Sequence, residues 1–255
     1  MKQQIFDGIK QWEFDWQGRK AKLPVFYYDT TSLTAIYTAS TKKVKELLPH
    51  PDMRPNELFP GRCLMAITAF EYRKTDIDPY NELSIAFPIS FGHRPIPGLS
   101  VAHQMAHRSL EAYIWQLPVT TEIARVGGCE LYGYPKFVAD IDFHRADGWI
   151  QCDLTENGQK ILSLKGRMLR THRGKRMRYV TYSVLDGIPL KANVVIDLIE
   201  FSRSRGKKAA TLDLGGTHHI AETIRGLGLS KNPLVYEYSP LNQGILFGGR
   251  NLMNT

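Results

Sequence analysis

The stretch Glu82–Phe91 constrains the fold more than any other part of the chain. Side chains on an extended strand alternate between two faces. Leu83, Ile85, Phe87, Ile89 and Phe91 therefore share one face, and Glu82, Ser84, Ala86, Pro88 and Ser90 share the other. The first face is bulky and core-forming. The second is small, with a single carboxylate at its start. A small face leaves room for a cavity or meets water, and Pro88 calls for an edge or a bulge.

The rest of the chain reads largely as short strands with turn signals between them, giving a β-rich α+β class. Asn157-Gly158, between Trp149–Leu154 and Lys160–Leu164, predicts a hairpin. Asp186-Gly187 closes the strand-like run Tyr179–Leu185, and Asn193–Glu200 and Pro233–Tyr238 are further strands. Three helices are expected. They are Thr41–Leu48, Thr121–Leu131 ending near Gly133, and His218 to about Arg225, capped by Thr217. With 255 residues and neither a repeat nor a clear linker, the expectation is one domain over residues 1–255.

Composition narrows the function classes. Hydrophobic residues make up 43% and charged residues 23%, as in ordinary globular proteins. No apolar run reaches the length of a membrane span, and the start lacks a signal-peptide core. Cys63, Cys129 and Cys152 form no paired motif, which argues against disulfides and a thiolate metal site and fits a cytoplasmic protein. His103 and His107 could share a helix face as ligands, but no third ligand is evident, so no metal is expected. The net charge of +8 is concentrated in Lys165–Arg178 and Arg203–Lys208. Such clusters can bind phosphates. No nucleic-acid motif accompanies them, so a nucleic-acid partner is not expected.

Gly133-Tyr134-Pro135-Lys136-Phe137-Val138 carries the chemistry. Tyr134 precedes a proline and is biased to extended geometry, so Lys136 sits at a fixed corner between helix and strand. A rigidly held lysine can attack a carbonyl. Read by alternation alone, however, Lys136 shares a polar face with Val138, Asp140, Asp142 and His144, as a solvated lysine would.

Glu130-Leu131-Tyr132-Gly133-Tyr134-Pro135-Lys136 resembles the lysine motif of the acetoacetate decarboxylase family, Glu-Leu-x-(Ala/Gly)-(Tyr/Phe)-Pro-Lys. Glu82 to Phe91 resembles the family's glutamate strand, with one more residue before the proline. Ile36-Tyr37 through Leu48-Pro49 is similar to its early strand and helix. The resemblance implies a strongly curved antiparallel sheet or cone-like β-barrel with a few helices. It implies a lyase in which Lys136 forms a Schiff base with a small oxo acid, Glu82 orients substrate or relays a proton, and Tyr134 and Phe137 line the substrate site. No cofactor is needed, and a homo-oligomer is expected. An attacking amine must be neutral. A free lysine, with a pKa near ~10.4, is neutral in roughly one molecule of a few thousand at pH 7.

Two departures bear on the substrate. The decarboxylases carry a second lysine directly after the reactive one, where this chain has Phe137. Their carboxylate-binding arginine would fall close to Thr31, yet no arginine lies between Lys20 and Arg54. Arg108, Arg125 or a residue of the C-terminal third are the replacements to consider. Decarboxylation of acetoacetate or a related 3-oxo acid is the leading expectation. A pyruvate-dependent imine aldolase-dehydratase is the alternative within the family. A non-catalytic protein that binds an oxo acid or nucleic acid is the alternative outside it.

Overall fold

The computed structural model describes residues 5–16 and 18–253. In chain order the elements are β1 (Trp12–Trp16), β2 (Arg19–Leu23), β3 (Val25–Ser40), α1 (Thr41–Lys45), β4 (Met53–Pro55), β5 (Glu57–Phe59), β6 (Arg62–Thr75), β7 (Tyr80–Phe91), α2 (Leu99–Ala106), β8 (Ser109–Gln116), α3 (Glu122–Tyr132), β9 (Asp140–Ala146), β10 (Trp149–Glu156), β11 (Gln159–Arg167), β12 (Arg176–Leu185), β13 (Ile188–Ser204), β14 (Ala210–Leu214), α4 (His219–Gly226), β15 (Val235–Leu246) and β16 (Arg250–Asn251).

Seven strands pair in the closed order β3-β6-β7-β8-β12-β13-β15 and back to β3. Six of these seven pairings are antiparallel, and β8 with β12 is parallel. The expected cone-like barrel is therefore present, with four helices among the described residues. A second sheet, β14-β11-β10-β9, covers one side of it.

The main core lies outside the barrel. Leu33 and Ala35 of β3, Ile67 of β6, and Leu83, Ile85 and Phe87 of β7 are fully buried against Ile150, Leu154 and Leu164 of the second sheet. The opposite faces of the same strands carry Ser32, Thr34, Thr68, Ser84 and Ala86, which line an internal cavity. Bulky side chains therefore pack outward and small ones point inward. A barrel of about eight strands can fill its interior with side chains. Here the inward residues are too small to do so, and the space stays open.

The bulge expected near Pro88 is found just before it. Pairing of β7 with β8 shifts register between Ile85 and Ala86. Pairing with β6 ends at Ala86 and pairing with β4 starts at Ile89, so Pro88 falls where β7 changes neighbours.

The predicted hairpins form as read. Asn157 and Gly158 have φ of 50° and 75°, and Asp186 and Gly187 have 50° and 78°, as type I′ turns require. Asp147-Gly148, at 51° and 75°, makes a third such turn that the sequence reading passed over. The helices need three corrections. α1 stops at Lys45, and the chain continues through a turn to Pro49. α4 is capped by His218 rather than Thr217, its ring accepting from the Ile220 amide. α2 was not expected as a defined helix, and it carries His103 but ends before His107.

Candidate active site

Lys136 is placed by the end of α3 and the segment that follows. Gly133 ends the helix in the left-handed region, at φ 62°, with its N–H donating to the Cys129 carbonyl at 3.0 Å. The next residues form no strand. β9 begins only at Asp140, so the alternation read from Lys136 onward does not apply at its start. Instead, Leu117 donates to the Pro135 carbonyl at 3.2 Å and Val119 to the Phe137 carbonyl at 2.9 Å. Val119 also bridges to Glu82 on its other side. One short segment thus holds the lysine corner against the start of β7.

The result overturns the solvated-face reading of Lys136. Its side chain is 6% exposed, and its Nζ donates to Glu82 Oε2 at 2.6 Å. The Glu82 side chain is 9% exposed, and its Oε1 accepts from the Tyr72 hydroxyl at 3.1 Å. Moving two charges out of water is costly, and such a pair persists only where geometry and further hydrogen bonds compensate. Tyr72 supplies one such bond. The ring of Tyr80 lies 5.6 Å from Lys136 Nζ, and the Tyr27 and Tyr80 hydroxyls are 3.4 Å apart. Burial, with Glu82 adding to it, raises the hydroxyl pKa values of Tyr27, Tyr72 and Tyr80 well above the ordinary tyrosine range. These phenols are protonated at neutral pH.

Gly128 makes the placement possible. A Cβ at that position would lie 2.3 Å from Lys136 Cδ and 2.4 Å from its Cε. The lysine stem therefore crosses α3 through a notch that only glycine leaves. By helix propensity alone, Gly127-Gly128 is only a weakness in the helix.

Glu82, Tyr134 and Lys136 all line the barrel cavity, whose volume is about 630 Å³. Tyr134 is buried, and its hydroxyl lies 2.6 Å from Thr181 Oγ1. Phe137 is placed differently from the expectation. It packs against the main core and is not among the cavity-lining residues. Thr30 and Tyr72 are cavity residues that the sequence reading did not single out. The Thr30 hydroxyl is buried without a hydrogen-bond partner. Lys136 also borders a second, smaller cavity of about 220 Å³ beneath the β1–β2 hairpin.

None of the arginines considered as replacements stands beside Lys136. Thr31 meets Arg73, but that guanidinium is held by Asp29 and Glu71 and does not line the cavity. Arg125 pairs with Glu122 on α3 and does not line it either. Arg108 does line it, together with Arg173, Lys175, Arg203 and Arg205. The two basic clusters of the sequence thus converge at one end of the cavity. Arg173 there bonds Asp197 at 2.8 Å and Arg203 bonds Glu237 at 2.6 Å. The His103 and His107 rings meet in a tilted contact at 4.1 Å between centroids, and both are exposed.

The fold is a closed barrel that encloses a buried lysine–carboxylate pair. The chain belongs to the acetoacetate decarboxylase (ADC) family, whose sequence profile matches residues 16–193. Among solved structures, it is similar to an acetoacetate decarboxylase from Legionella pneumophila, with 14% identity and a TM-score of 0.62 over 90% of this chain and 87% of that one. It is also similar to the enduracididine biosynthesis enzyme MppR complexed with pyruvate, with 13% identity and a TM-score of 0.62 over 90% of each chain. At these identities the likeness shows the fold. No curated protein matches in sequence. No helix among the described residues is long and apolar enough to cross a membrane.

Proposed function

We propose that the protein is a lyase that binds the ketone of an oxo acid as a Schiff base on Lys136, and that the reaction is decarboxylation of acetoacetate or a related 3-oxo acid. One observation carries this reading: Lys136 Nζ lies 2.6 Å from Glu82 Oε2 in a cavity that shields both. Lys136 passes a proton to Glu82, and its amine adds to the ketone carbon. Water leaves as the C=N bond forms. The bond to the carboxylate carbon then breaks. Its electron pair moves toward the protonated imine nitrogen to give an enamine, and carbon dioxide departs. The α-carbon takes up a proton, with Glu82 as the nearest relay, and water hydrolyses the imine to release the ketone and free Lys136. The unpartnered Thr30 hydroxyl offers a donor to the substrate carboxylate in place of an arginine.

In this account the chain works as one domain, in a homo-oligomer, with Tyr134 as a wall of the substrate site. The second reading is a pyruvate-dependent aldolase-dehydratase. It is favoured by Phe137 in the place of the decarboxylases' second lysine and by the absence of a cavity arginine near Lys136 among the described residues. Both readings need the same imine, and they part at product. Carbon dioxide release from acetoacetate, lost in Lys136→Arg, supports the decarboxylase. Condensation of pyruvate with an aldehyde, without carbon dioxide release from acetoacetate, transfers the assignment to the aldolase.

A further inference from the structure

The barrel cavity is far larger than acetoacetate. Allowing roughly 30 Å³ per non-hydrogen atom, the share of a water molecule in the liquid, the seven such atoms of acetoacetate occupy about 200 Å³. The cavity holds about 630 Å³. The remaining space has a defined chemistry. Ile36, Ala66, Ala86, Ile114, Val194 and Ile196 present apolar walls between the lysine end and the basic end. Of the hydroxyls in that stretch, Thr34 and Thr68 bond each other at 3.0 Å and so place little demand on a ligand.

The direction of the free space follows from strand register. Tyr134 meets Thr181 at the lysine end. Met177 and Arg108 line the cavity further along, and the Arg178 amide donates to the Arg108 carbonyl at 2.9 Å. The four residue steps from Thr181 to Met177 span about 13 Å of strand. The carboxylate of a 3-oxo acid sits one carbon from its ketone. It must stay near Lys136 and cannot reach the arginines. What extends along the barrel is the other substituent of the ketone, and its surroundings are apolar.

We infer that the preferred substrate is a 3-oxo acid bearing an extended uncharged apolar chain, with its ketone at Lys136 and the chain laid along the barrel interior. This rests on the Schiff-base reading proposed above. Burying a methylene contributes about 0.8 kcal/mol, which corresponds to roughly fourfold in kcat/KM for each carbon added. From four carbons to eight, the gain is on the order of a hundredfold.

The test measures the borohydride-reduced adduct and kcat/KM for 3-oxo acids of four, six, eight and ten carbons. In parallel, calorimetry compares butyrate with decanoate, which cannot form an imine. The expected result is adduct on Lys136 with every oxo acid, kcat/KM rising to at least eight carbons, and decanoate binding far more tightly than butyrate. Ala66→Phe, checked for folding by circular dichroism, should lower the eight-to-four-carbon ratio of kcat/KM at least tenfold. Adduct on Lys136 with no gain along the series, or decanoate binding no better than butyrate, overturns the chain inference and leaves the imine chemistry standing. A missing adduct with all four acids overturns the Schiff-base reading, and the substrate assignment falls with it.

Discussion

The two ends of the barrel cavity each hold a lysine or arginine paired with a carboxylate, under opposite conditions. At the inner end, the Lys136 and Glu82 side chains are 6% and 9% exposed. At the basic end, Arg173 is 46% exposed beside an Asp197 side chain that is 9% exposed. Water screens the outer pair and lets its arginine relax. Among the described residues, the inner pair has Tyr72 as its one further side-chain hydrogen-bonding partner, so its charges are held where the fold puts them. The contrast separates a charge pair that water screens from one secluded inside the barrel. A positive cluster marked the outer end in the sequence, yet Lys136 is the cation that the fold buries.

The sharpest way to break the contrast is to remove the inner amine. Lys136→Ala should reduce turnover to the uncatalysed rate, read by carbon dioxide release, with the protein still folded. Glu82→Gln keeps the shape and removes the proton relay. Turnover should fall by about 10²–10⁴-fold, the usual worth of a positioned acid or base. Gly128→Ala leaves every catalytic group in place but pushes a methyl into the lysine stem. A misplacement of about 1 Å can cost on the order of a hundredfold, and a loss of that size in kcat is expected. A Gly128→Ala enzyme with wild-type kcat would show that the notch does not position Lys136. At the basic end, Arg173→Gln should alter kcat less than about threefold, because Arg173 is half-exposed and far from Lys136, while stability falls because the buried Asp197 carboxylate loses its cation.

The tyrosines of the inner end give the smallest effect. An unfolded tyrosine ionises near ~10, whereas Tyr27, Tyr72 and Tyr80 ionise well above that when folded. Their contribution is complete below pH 10 and is lost as pH rises from there toward the folded values, because unfolding then releases protons. Chemical denaturation between pH 8 and 11 should show stability level at first and falling above about 10, with phenolate absorbance from these residues appearing with unfolding rather than before it.

Much of this was legible in the chain. The turns at Asn157-Gly158 and Asp186-Gly187 are local, set by two residues that tolerate positive φ. The two faces of β7 were readable because alternation needs only a strand. Which face is core and which is cavity depends on barrel closure, and no single strand encodes that. Lys136 was recognisable by its motif, but its burial was not. The alternation that set it on a polar face belongs to β9, which starts four residues later. Gly128 was opaque for a similar reason, since its role is a contact with a side chain beyond the helix end. α2 has no buried residue, so no core contact fixes it as a helix.

The account turns on whether Lys136 forms a covalent imine. Incubation with acetoacetate and separately with pyruvate, reduction with borohydride, and peptide mapping by mass spectrometry test this directly. The prediction is one reduced adduct per chain, on the peptide carrying Lys136, absent from Lys136→Arg. A folded protein that gives adducts only on other lysines, or none with either acid across a wide pH range, would contradict it.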